Sequence, residues 1–210
     1  MISVLINDTD LLFKNGMQFL FMDIFASHFN ESVEFLEEYT PDNIALADVI
    51  VLSLCPGERY TCFPELQART RGIIIGLVSE EATSEPSPSC FSDIIYITRN
   101  SSRNGMTNKI RTVWGKWLTS KKFEALPYCL WCKHRQMSEH QFRLMEYLHQ
   151  GKTINRIDQE LGINSKTIFA HKYLVMHKFN LRNDNELKHF LDMLAKKQRI
   201  PINLRMRVGG

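Results

Sequence analysis

Over the first 118 residues, short apolar runs alternate with longer segments of mixed polarity. Ile2 to Ile6, Val33 to Leu36, Val49 to Leu54, Ile73 to Val78 and Ile94 to Thr98 are rich in β-branched residues and apolar at successive positions. That is the pattern of strands covered on both faces of a parallel sheet. Helical segments fall between them, clearest at Asp10 to Phe29 and Gly105 to Leu118. Repeated strand-then-helix order predicts an α/β, doubly wound domain over residues 1–118, its right-handed crossovers laying helices on both faces.

Periodicity lapses over residues 119–136, where Pro127 interrupts any helix, and this stretch is expected to be an interdomain linker. The Ser, Glu and Pro-rich run from Ser79 to Cys90 reads as an exposed loop. Beyond the linker the pattern changes to an all-α, four-helix domain over residues 137–195. Ser138 with Gln141 three positions later matches a capping box, and Phe142, Leu144, Met145 and Leu148 give that helix an apolar face ending at Gly151. Thr153 is expected to cap a second helix carrying Ile154, Ile157 and Leu161, with Gly162 allowing a sharp exit. Asn164 or Ser165 starts a third helix, in which Ile168, Val175 and Phe179 share one side while Lys166, Phe169, Ala170, Tyr173 and His177 point away. A fourth, from about Asp184 to Ala195, carries Leu187, Phe190, Leu191 and Leu194. A short helix, a glycine turn and a helix with a polar, basic outer face have the geometry that enters a B-form major groove.

Charge divides the same way. Residues 1–132 carry 11 Lys/Arg and 16 Asp/Glu, a net −5, whereas residues 133–210 carry the remaining 15 and 7, a net +8. A concentrated positive charge at one end implies a polyanionic partner for that end, because cations that displace counterions from phosphates drive nucleic-acid affinity.

Met137 to Leu191 resembles the LuxR/FixJ (GerE-type) helix-turn-helix domain. The resemblance lies in Met137-Ser138 at the domain start, the glycine after the first helix, the run Ile163 to His171 in place of Ile-Ser-x-Lys-Thr-Val-x-x-His, and Lys178-Phe179 in place of Lys-Leu. It implies a recognition helix from Ser165 to Phe179. Ser165 would open that helix, Lys166, Thr167, His171, Lys172 and Lys178 would meet the phosphate backbone, and Phe169, Ala170 and Tyr173 would reach base edges. Phe169 and Tyr173 depart from the polar or basic residues common there, so apolar contact with thymine methyls is an alternative to hydrogen bonding. Asp158 replaces a small residue between helices and must reach solvent or pair with Arg156 or Lys152.

The N-terminal region resembles a response-regulator receiver domain. Asn7-Asp8 stands for the acidic pair, Leu11 to Met17 for the start of the first helix, Ala47 to Ser53 with Pro56-Gly57 for the third strand and its loop, and Ser79 and Arg99 for the family's Thr/Ser and Lys. Ser53, or Leu52 with a different gap, occupies the phosphoacceptor position, and neither offers the carboxylate that aspartyl phosphorylation needs beside Mg²⁺. The resemblance therefore implies a degenerate phosphoacceptor site of Asn7, Asp8, Ser53, Ser79 and Arg99, similar to RcsA-like and fimbrial auxiliary regulators. The implied partners are double-stranded DNA and a second subunit, in a homodimer or a heterodimer with another response-regulator-type protein.

The remaining signals do not redirect this reading. Cys129-x-x-Cys132 with His134 and His140 offers zinc ligands or a redox pair, but the histidines would have to come from the linker and the first helix, so packing cysteines and no metal or cofactor are expected. Five cysteines, no membrane-length apolar run and no leader pattern fit a reduced, cytoplasmic chain without a membrane partner. No nucleophile and base combination or phosphate loop marks an enzyme. The tail beyond residue 195 is basic with interleaved apolar residues. The function expected is a phosphorylation-independent, sequence-specific transcription regulator; the alternative is a protein-interaction modulator that sequesters another regulator without reading DNA.

Overall fold

Branched apolar residues at nearly every position of Val49–Ser53 and Ile73–Val78 leave no polar edge for solvent, so these segments lie at the centre of a sheet. The computed structural model describes residues 1–79, 93–120 and 135–198. In it β1 (Ile2–Asn7), β2 (Val33–Leu36), β3 (Val49–Ser53), β4 (Ile73–Val78) and β5 (Ile94–Thr98) form one parallel sheet in the order β2-β1-β3-β4-β5. The order reverses between β1 and β3, and a crevice at the strands' carboxyl ends follows from that reversal.

Side chains alternate along each strand, so Val4 and Ile6 join one core while Leu5 joins the other. Helices α1 (Leu11–Phe29) and α3 (Arg103–Ser120) cover the first face, with Phe21, Phe25 and Trp114 fully buried against Val51 and Ile75. Helix α2 (Pro41–Leu46) and the turn Pro64–Ala68 cover the second, with Phe63 and Leu66 on Ile50 and Ile74. The doubly wound α/β expectation therefore holds. One connection differs from a plain strand-then-helix repeat: β3 leads to β4 through two short 3₁₀ turns, Glu58–Tyr60 and Pro64–Ala68. Pro56, Gly57 and Pro64 within thirteen residues of Leu52 stop an α-helix from propagating there. Most of the expected Ser79 to Cys90 loop and of the linker at 119–136 lies outside the described residues.

The chain divides into two units, Met1–Leu54 with Cys62–His134, and Cys55–Thr61 with Arg135–Gly210. The second unit contains α4 (Glu139–His149), α5 (Ile154–Leu161), α6 (Ser165–Lys178) and α7 (Asp184–Gln198). The four helices surround a core of Leu144, Met145, Ile157, Ile168, Val175, Phe179, Phe190 and Leu191. Tyr60, from the Cys55–Thr61 segment, belongs to this core, with the Arg135 guanidinium 3.9 Å above its ring. Gly57 is required nearby: its φ is +83°, and a Cβ there would stand 2.9 Å from Leu181 and 3.0 Å from Phe190. Among the described residues no helix is long and apolar enough to cross a membrane.

Candidate nucleic-acid interface

The local sequence sets the entry to α6. At the start of α4 the capping box forms as expected, Ser138 accepting from the Gln141 amide at 3.2 Å and Gln141 accepting from the Ser138 amide at 3.1 Å. Thr153 stands at the N-cap of α5, but its hydroxyl makes no capping hydrogen bond. Gly162 ends α5 in the left-handed region, φ +64°, donating its amide to the Asp158 carbonyl at 2.8 Å. Two residues later Asn164 starts α6 by accepting from the Lys166 amide at 2.8 Å. Of the two outcomes open to Asp158 it takes the first, staying half-exposed, while Lys152 and Arg156 both donate to Glu160 and hold its carboxyl below its ordinary value.

Helix α6 buries Ile168, Val175 and Met176 and turns the opposite side to solvent. Lys166, Thr167, Phe169, Ala170, Tyr173 and His177 are all exposed. Phe169 is 43% exposed, Tyr173 63% and Leu174 57%. Leu174 was absent from the sequence-based set, although it lies seven residues after Thr167 and four after Ala170, the spacing of that same face. Ser165, His171, Lys172 and Lys178 are half-buried at the margins. The Lys172 side chain is only 14% exposed, and its ammonium pairs with Asp184 at the start of α7, 2.7 Å away. His171 sets its ring edge-on to His140, centroids 5.1 Å apart, and its buried Nδ1 has no hydrogen-bond partner among the described residues. The helix thus offers an apolar centre bordered by Lys166 near its N-terminus and His177 near its C-terminus.

In the first unit, the carboxyl ends of the strands gather three of the five expected residues. Arg99, just beyond β5, donates from Nη1 to Asp8 at 2.8 Å and to the Ser53 hydroxyl at 2.5 Å. The Asp8 side chain is 2% exposed. Two further groups, not anticipated from sequence, complete the arrangement. Asp10, the N-cap of α1, accepts from Arg99 Nη2 at 3.3 Å, and the Phe13 ring lies 3.9 Å beneath the guanidinium. Asn7 and Ser79 end β1 and follow β4 on the same edge of the sheet, both exposed. A fixed cation therefore sits between the carboxylates, where a bound metal would otherwise supply positive charge. Cys129, Cys132 and His134 lie outside the described residues. Of the described cysteines, Cys62 is buried, and burial pushes the Cys55 thiol far above its ordinary value, away from thiolate chemistry.

A parallel α/β unit with a cleft of acidic residues, followed by a helix-turn-helix unit, defines a two-part architecture. Residues 135–191 match the family described as bacterial regulatory proteins, luxR family. The response regulators UvrY of Escherichia coli K12 and of Shigella flexneri are each 30% identical over 53 residues, 25% of this chain and 24% of theirs. The chain thus matches about a quarter of the length of these curated relatives. Among solved structures, RcsB of Salmonella enterica serovar Typhimurium bound to a promoter with a phosphomimetic has a TM-score of 0.57 at 18% identity, over 92% of this chain and 98% of that one. A structure of two RcsB dimers on two parallel DNAs has a TM-score of 0.52 at 18% identity, over 91% and 98%. At these identities the likeness is one of fold. Residues 135–191 thus match the luxR-family model, and the N-terminal unit shares the parallel α/β fold of these structures.

Proposed function

We infer that this chain is a sequence-specific DNA-binding transcription regulator whose α6 enters the major groove. The observation that carries the reading is the exposed outer face of α6, set on a glycine turn within a segment that matches the luxR family. The charge of residues 133–210 supports it, since phosphate contacts need the cations gathered there. We assign base contacts to Phe169, Ala170 and Tyr173, and backbone contacts to Ser165, Lys166, Thr167, His171, Lys172 and Lys178. The domain limits follow the sequence reading: receiver-like to 118, linker to 136, helix-turn-helix to 195 and a basic tail.

Regulation is independent of phosphorylation in this reading. A hydroxyl at Ser53 cannot form an acyl phosphate, and Arg99 already pairs with both Asp8 and Asp10. Control then comes through assembly, as a homodimer or with another regulator, which places two recognition helices on successive turns of the duplex. The chain acts in the cytoplasm, takes no cofactor and catalyses no reaction. The RcsB structures on DNA are the fold-level parallel.

The test is enrichment of genomic fragments by the full chain, alone and with candidate regulators, followed by a salt titration of the best site. Binding that favours one site over random DNA, weakens with salt and ignores acetyl phosphate supports the reading. The exposed Phe169, Tyr173 and Leu174 also suit a protein partner. Capture of another regulator without preference for any DNA site would favour sequestration.

A further inference from the structure

The chemistry of α6 narrows what kind of DNA sequence it can read. Side chains that distinguish bases by paired hydrogen bonds are Arg and Lys on guanine, Asn and Gln on adenine, and Asp and Glu on cytosine. Ser165–Lys178 contains no Arg, Asn, Gln, Asp or Glu. Of its three lysines, Lys172 is held by Asp184 and mostly covered, and Lys178 is half-buried at the helix end. Lys166 is the single fully exposed lysine, and it stands in the first turn. The centre of the outward face is instead apolar. Phe169 and Tyr173 are four residues apart, as are Ala170 and Leu174, so the two pairs form adjacent rows about one helical turn long. All four are exposed. Leaving such a surface in water costs free energy that contact with an apolar group would recover.

The major groove presents one apolar group at base edges, the C5-methyl of thymine. We propose that α6 selects its site by packing Phe169, Ala170, Tyr173 and Leu174 against thymine methyls, making this a reader of C5-methyl groups; the proposal rests on the DNA-binding reading above. Lys166 then anchors the helix to a phosphate without choosing the sequence. The same chemistry accepts a 5-methylcytosine, whose methyl occupies the equivalent place on a G·C pair.

The experiment enriches duplexes from a random pool with the full chain, then replaces each thymine of the enriched site by uracil, which removes the methyl alone. Binding should fall about fourfold for each methyl that is packed, the equivalent of ~0.8 kcal/mol per buried carbon. Methylating cytosines at the positions of those thymines, after a thymine-to-cytosine exchange, should restore part of the loss. Phe169→Ala and Tyr173→Ala should weaken binding to the enriched site and erase the difference between thymine and uracil there. Far-UV circular dichroism verifies their fold, and the uracil series on the unaltered protein decides the matter if either misfolds. An enriched site that tolerates uracil at every position overturns this inference and leaves DNA recognition standing. Failure to enrich any site overturns both.

Discussion

The two units handle their chemically active groups in opposite ways. At the carboxyl edge of the sheet the charges pair internally: Arg99 answers Asp8, Asp10 and Ser53 and rests on Phe13. On α6 the reverse holds, with aromatic and aliphatic side chains left facing water. A self-satisfied cluster has little free energy to gain from a ligand, because any newcomer must first displace contacts already made. An exposed apolar face gains from almost any surface that covers it. The contrast teaches that the α/β unit spends its charged groups on internal pairing, while the helical unit leaves an apolar face open to contact.

The sharpest way to break this comparison is to exchange inward for outward positions on α6. Ile168→Ala, at a fully buried position, should destabilise the helical unit by about 2–5 kcal/mol in chemical denaturation. Phe169→Ala beside it should cost far less, since its ring is already 43% exposed. Equal costs would mean that the outward face is packed. Next in size is Arg99→Ala, which strips a carboxylate only 2% exposed of its counter-charge and should cost about 1–3 kcal/mol. The figure is below that for a fully buried pair because Arg99 is one-quarter exposed. An unchanged midpoint would show that the pocket is not self-satisfied.

A third test concerns Lys172, which is tied to Asp184 across the start of α7. Asp184→Asn removes the carboxylate that competes with a phosphate for this ammonium and should raise DNA affinity several-fold. Lys172→Ala should weaken binding to all sequences alike, and an increase on that change would sink the assignment of Lys172 to the backbone. The smallest effect is the acid limb of stability. Hydrogen bonds from Lys152 and then Arg156 lower the Glu160 pKa in the folded chain. Its contribution is therefore complete above the usual carboxylate range and is lost as pH falls through the lowered value. Glu160→Gln should flatten that limb of a stability-against-pH curve by lowering stability near neutrality, leaving the acid end, where Glu160 is already protonated, little changed.

Much of the fold can be read from residue order alone. The strands lie within a residue of the apolar runs, since a segment buried on both faces leaves a continuous signature. Ser138, Gly162 and Asn164 punctuate the helical unit because capping and left-handed turns depend on chemistry within a few residues. The outward set on α6 is equally legible from helical spacing, apart from Leu174, whose apolar side chain suggests a core position. Less legible were pairings over long separations. Asp10 and Phe13 reach Arg99 across almost ninety residues of chain, and Glu160 takes the two cations that spacing alone would offer equally to Asp158.

By itself the sequence determined the element order, the helix ends, the charge division and a hydroxyl in place of a carboxylate at residue 53, because each depends on residue type and local spacing. Only the tertiary structure decided that Arg99 fills the acidic cleft, that Lys172 is engaged by Asp184 and that Leu174 faces water. Those outcomes turn on which distant groups come within a few ångströms of one another, and side-chain reach and burial, not periodicity, set that.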